Sequence, residues 1–153
     1  MPLILFLGNP IYSDDRIGLI LGERLKDRLE ADGFEVKILE RSGYTLIDHI
    51  AGHEFVFIVD SILGEVGELI LIENLENLKT LFPRSPHYSG IAEAIELMKT
   101  LNLSPPEKLV VIGVGVKDPF TVSDKMSPEL EEEVDSITEK LYHIISKSGI
   151  LIQ

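Results

Sequence analysis

The run "FVFIVDSILGEVGELILI", Phe55 to Ile72, decides the fold. From Phe55 to Val59 it is apolar without alternation, the pattern of a strand covered on both faces. Leu69–Ile72 is a second apolar run of strand length. The segment between them, Asp60 to Glu68, is shorter than the dozen or more residues a parallel crossover needs. The fourth strand is therefore expected to run antiparallel to its predecessor.

Working outward, three more apolar runs read as buried strands: Leu3–Leu7, Val36–Leu39 and Leu109–Val114. Helical periods fill the gaps. Ile17, Ile20, Leu21, Leu25 and Leu29 recur at three- and four-residue spacing, with Gly33 as a stop signal. Ile91, Ala94, Ile95 and Met98 repeat that spacing more briefly. "SPELEEEV" supplies a Ser cap, a Pro at the first helical position and acids in the first turn. Leu130, Val134, Ile137, Leu141 and Ile145 then mark one face, closed by Gly149. Strands alternating with helices predict a three-layer α/β/α sandwich, its five-stranded sheet mostly parallel and its fourth strand antiparallel. No internal repeat or linker is visible, so residues 1–153 are expected to form a single domain.

Composition narrows the function. Lys and Arg number 14 against 26 Asp and Glu, a formal net charge of −12. Nucleic-acid binding draws most of its affinity from cationic side chains, so no nucleic-acid partner is expected. No apolar run is long enough to span a bilayer, and "MPLILFLGNP" lacks the basic start of a signal peptide. No membrane partner and a cytoplasmic location are the expectation. Cysteine is absent, which removes disulfides and thiolate chemistry and leaves carboxylates, imidazoles and carbonyls to hold any metal.

Sites in such sheets gather at the carboxyl ends of the parallel strands. Asp14 and Asp15, in "LGNPIYSDDRIG", follow the first strand and read either as caps on the next helix or as metal-gripping carboxylates. Asp60 is expected directly after the third strand, where a carboxylate is costly to desolvate unless something positive meets it. The two strand ends become neighbours if strand one pairs with strand three. His87, in "FPRSPHYSG", supplies a possible third corner. His49 and His53 in "DHIAGH" have the spacing of a helical metal pair, but Gly52 weakens that helix. "GVGVKDP" reads as close-packed backbone at a sheet end. No G-x-S-x-G elbow, H-E-x-x-H, P-loop or G-x-G-x-x-G is present.

Together these segments resemble the hydrogenase maturation endopeptidases, which trim the C-terminal extension from the large subunit of nickel–iron hydrogenases. The likeness runs from "LGNPIYSDDRIG" through "FVFIVDSILGEVGEL" and "SPHYSGIAEAIELMKTLNLSPPEKLVVIGVG" to "MSPELEEEV". It implies that Asp15, Asp60 and His87 are both catalytic residues and metal ligands, and that Gly8 and Asn9 shape the cleft. Arg16 stands where the family usually has Gly, and Leu7 replaces the first Gly of the opening. Asn9 and Arg16 are taken as substrate-binding, the arginine either meeting a substrate carbonyl or carboxylate or facing solvent. The implied cofactor is nickel, supplied by the substrate rather than tightly held, and the implied partner is a hydrogenase large-subunit precursor. Nickel could activate the scissile carbonyl or water, or serve to dock the client while Asp15 or Asp60 acts as general base. Two other readings stand beside this one. A peptidyl-tRNA hydrolase-like esterase shares the Leu-Gly-Asn-Pro turn, and a nickel-sensing docking module would need the same ligands. The loop "KDPFTVSDKM" is expected to touch the client by its position.

Overall fold

The computed structural model describes the backbone of residues 1–40, 45–73 and 87–148, and their side chains except at 45 and 87–90. Five strands form one sheet: β1 (Leu3–Gly8), β2 (Glu35–Glu40), β3 (Phe55–Leu63), β4 (Leu69–Ile72) and β5 (Lys108–Val116). They lie in the order β2-β1-β3-β5-β4. All neighbours are parallel except β4, which is antiparallel to β5. The helices are α1 (Ile17–Ala31), α2 (Thr45–Ile50), α3 (His87–Thr100) and α4 (Pro128–Ser146), and a 3-10 turn, Asp14–Arg16, leads into α1.

β1 is apolar up to Leu7 because its two faces serve two cores. Ile4 and Phe6 of β1 pack with Leu21, Leu25, Val134 and Leu141 from α1 and α4. Leu3, Leu5 and Leu7 pack on the other side with Ile50, Ile91, Ile95 and Met98 from α2 and α3. Successive side chains of a strand point to opposite faces, so helices on both sides leave no position polar. Each fully buried Leu or Ile contributes about 2 kcal/mol of burial. This is the expected three-layer sandwich.

The antiparallel direction of β4 is as expected, but its partner is β5 rather than β3. After β3 the chain arches over the end of β5 and descends on its far side. Gly64 and Gly67 N–H donate to Val116 and Gly115 carbonyls at 3.1 and 3.0 Å, and Gly115 N–H donates to the Glu68 carbonyl at 2.8 Å. The arch lies so close that a Cβ on Gly115 would stand 2.0 Å from the Glu65 carbonyl oxygen. The reading of "GVGVKDP" as close-packed backbone holds at that glycine.

The first connection from β1 passes through α1 to β2, and the next returns through α2 to β3 on the other side of β1. Strand order therefore reverses between β1 and β3, the place where an open α/β sheet forms a crevice. The β1–β3 register runs from Leu3–Val56 to Phe6–Val59 and then stops. The β3–β5 register continues to Leu63–Val116.

Candidate active site

Asp60 lies inside β3 rather than after it, a correction to the sequence reading. β5 keeps pairing with β3 past Val59, so the strand extends to Leu63 and Asp60 sits opposite Gly113. It is fully buried just past the point where β3 stops pairing with β1. Strand alternation groups Asp60 with Val56, Ile58 and Ile62, which belong to the α2/α3 core, and sends Ser61 to the α1/α4 side.

Ser61 joins the two expected carboxylates. Its backbone N–H donates to Asp60 Oδ1 at 2.8 Å, and its hydroxyl donates to Asp15 Oδ1 at 2.5 Å. Asp15 is 2 % exposed. The turn that carries it is held against the end of β1, since Asn9 N–H donates to the Asp15 carbonyl at 3.1 Å. Gly18 makes this approach possible: a Cβ there would stand 1.9 Å from the Leu7 carbonyl oxygen. Asn9 also closes its own turn, its Oδ1 accepting the Ile11 N–H at 3.0 Å.

Asp14 and Asp15 meet different neighbours, Asp14 the loop after β5 and the start of α4, Asp15 the Ser61 hydroxyl. Asp14 is fully buried. It accepts from Asp118 N–H at 3.0 Å, from Ser127 N–H at 2.7 Å and from the Ser127 hydroxyl at 2.9 Å. Neither aspartate caps α1 with its side chain. The buried anion instead sits at the start of α4, where the helix dipole favours it. Ser127 does occupy the N-cap position of α4, but its hydroxyl donates to Asp14 rather than capping the helix.

Arg16 is engaged by carbonyls of its own chain. Its Nε donates to the Ser13 carbonyl at 2.9 Å, and its terminal nitrogens donate to the carbonyls of Asp124, at 2.8 Å, and Ser123. The guanidinium straps the loop after β5 onto the turn. His87 opens α3; its side chain lies outside the described residues. Among the described residues, no three His, Cys, Asp or Glu side chains gather as a metal site. His49 and His53 do not share a helix, because α2 ends at Ile50. His49 Nδ1 lies 3.3 Å from Lys37 Nζ, whereas His53 Nε2 lies 3.7 Å from Glu35.

Sequence reading missed Ser61 and Ser127. The signal for Ser61 was its place next to Asp60, where alternation sends it toward the opposite core. Ser127 was visible only as a cap. Arg24 pairs with Asp135 and Arg28 with Glu139, joining α1 to α4. Among the described residues, no helix is long and apolar enough to cross a membrane.

A family model described as hydrogenase maturation protease matches residues 20–148. The chain belongs to the hydrogenase maturation protease family. It is a hydrolase of the endopeptidase type. The matched segment holds Asp60 and His87 and begins after Asp15. Among curated proteins, protein FrxA of Pyrococcus furiosus is 30% identical over 137 residues, which is 86% of this chain and 93% of that protein. The solved nickel–iron hydrogenase maturation protease HybD from Thermococcus kodakarensis is 26% identical, with a TM-score of 0.71 over 94% of this chain and 99% of its own. The hydrogenase maturating endopeptidase HybD from E. coli, 24% identical, shares the fold at a TM-score of 0.76, covering 97% and 94%.

Proposed function

We propose that this family member is a nickel-dependent endopeptidase that removes the C-terminal extension of a nickel–iron hydrogenase large-subunit precursor after metal insertion. The supporting observation is the junction at Ser61, which brings the carboxylates of Asp15 and Asp60 to one end of the sheet at its switch point. Two buried carboxylates are oxygen donors suited to a divalent first-row ion, and the His87 imidazole would complete a mixed set. Asp15, Asp60 and His87 would hold the nickel that the client brings. Bound there, the ion would supply Lewis-acid activation of the scissile carbonyl or of water.

The chain's own residues then have defined work. Ser61 fixes the Asp15 carboxylate through its hydroxyl, so the side chain needs little reorganisation when the client docks. Alternatively the ion serves chiefly to dock the client, and Asp15 or Asp60 would accept a proton from the attacking water as general base. That proton passes to the leaving amide nitrogen as the C–N bond breaks, and the water oxygen remains on the new carboxylate. Burial keeps competing water from both groups.

The test is trimming of a nickel-loaded precursor, followed by mass spectrometry of its C-terminus. Asp15→Asn, Asp60→Asn and His87→Ala each abolish the mass loss if the reading holds. Retained cleavage in all three variants removes the site. An intact client with unmodified enzyme, despite stable binding, would favour a docking module instead.

A further inference from the structure

The segment before the aspartate pair and the loop after β5 form a small ribbon. Tyr12 and Val122 meet in an isolated antiparallel bridge. Ser13 N–H donates to the Thr121 carbonyl at 2.8 Å, and Ser123 N–H donates to the Ile11 carbonyl at 3.0 Å. In this pattern Tyr12 and Val122 are a non-hydrogen-bonded pair, so their own N–H and C=O groups point outward from the ribbon. Among the described residues, none of those four groups has a hydrogen bond within the chain. Both backbone edges are thus open to another strand.

The ribbon also displays apolar side chains. Ile11 is 58 % exposed, Tyr12 37 %, Phe120 62 % and Val122 71 %. It is nevertheless held firmly, by Asp14 at Asp118 and Ser127 and by Arg16 at Ser123 and Asp124. A buried carboxylate and a guanidinium therefore fix a surface that exposes an aromatic ring and open backbone. A preorganised apolar surface lowers the ordering cost of binding. Its position identifies the occupant, because Tyr12 lies three residues before Asp15 on the same connection from β1 to α1. The polypeptide that must reach Asp15 is the client.

We propose that the Ile11–Ser13 and Phe120–Ser123 ribbon docks the precursor segment flanking the scissile bond, which adds as a strand to one of the open edges. The inference rests on the protease reading above. Main-chain hydrogen bonds to Tyr12 or Val122 would give affinity without strict sequence demand, and Phe120 would take an apolar client side chain.

The test is pulsed hydrogen–deuterium exchange on the unmodified enzyme mixed with nickel-loaded precursor, labelled before turnover, alongside the trimming assay. The expected result is slowed exchange at residues 11–13 or 120–123. A Phe120→Asp/Val122→Asp variant with an unchanged melting temperature should show about a tenfold rise in KM and little change in kcat. Trimming without protection at the ribbon overturns docking and leaves the protease reading standing. Protection without trimming does the reverse. Protection that appears with enzyme concentration alone, together with a dimer in sedimentation, makes the ribbon a self-association surface and also overturns the proposal.

Discussion

The hydroxyl of Ser61 donates to Asp15 Oδ1 at 2.5 Å across the crevice between β1 and β3, while its backbone N–H holds Asp60. One residue therefore sets the relation between two carboxylates far apart in sequence. A hydrogen bond to a charged group contributes about 1.5–3 kcal/mol. Ser61→Ala is expected to lower kcat/KM for precursor trimming about ten- to a hundredfold. Ser61→Cys, close in size and a weaker donor, should fall between the two. Equal rates for Ser61→Ala and the unmodified enzyme would show that the contact does not position Asp15.

Asp14 has a different task, and its loss should appear as instability. Asp14→Ala leaves the Ser127 and Asp118 N–H groups without their acceptor in a partly buried place. A cost on the order of 3 kcal/mol follows, or a melting temperature lower by about 6–12 °C for a chain of this size. Thermal unfolding followed by circular dichroism measures it. Asp14→Asn keeps an acceptor and should lose less.

Acid should loosen the ribbon through Asp118. Its carboxyl is held below its ordinary value of 3.8 by the Thr121 hydroxyl first, then by the N–H groups of Thr121 and Phe120. A depressed value means the stabilisation is complete above the unfolded value and is lost as pH falls through the folded one. Amide exchange at Phe120 and Thr121, corrected for its intrinsic pH dependence, should therefore accelerate below about pH 4. Asp118→Asn should remove most of that pH dependence.

At the other end of the scale, Tyr142 ionises late. Its phenol donates to Asp32, and that bond, then burial, then the Asp32 charge raise its value above 10.0. Because the folded value is raised, this contact stabilises below the unfolded value and is lost as pH climbs through the folded one. Near-UV absorbance read against a Tyr142→Phe blank should show the ionisation moving to lower pH in Asp32→Asn.

Much of this architecture could be read directly from the residues. Unbroken apolar runs at Leu3–Leu7 and Phe55–Val59 identify strands covered on both faces, and the short Asp60–Glu68 segment fixes the direction of β4. The partner of β4 was not legible, since it depends on Gly115 letting the chain arch over β5. Asp60 resembled a strand end because hydrophobicity stops at Val59, yet pairing with β5 carries β3 onward to Leu63. Arg16 was opaque for another reason: its acceptors are carbonyls of Ser123 and Asp124, and no local pattern announces so distant a backbone contact.

The 3-10 turn Asp14–Arg16 places consecutive side chains about a third of a revolution apart. Asp14 thus looks to the start of α4, Asp15 to β3 and Arg16 to the 123–124 backbone. Point substitutions disturb these duties one at a time. Deleting a single amino acid upstream of the triplet would rotate the whole set, giving each side chain its neighbour's destination.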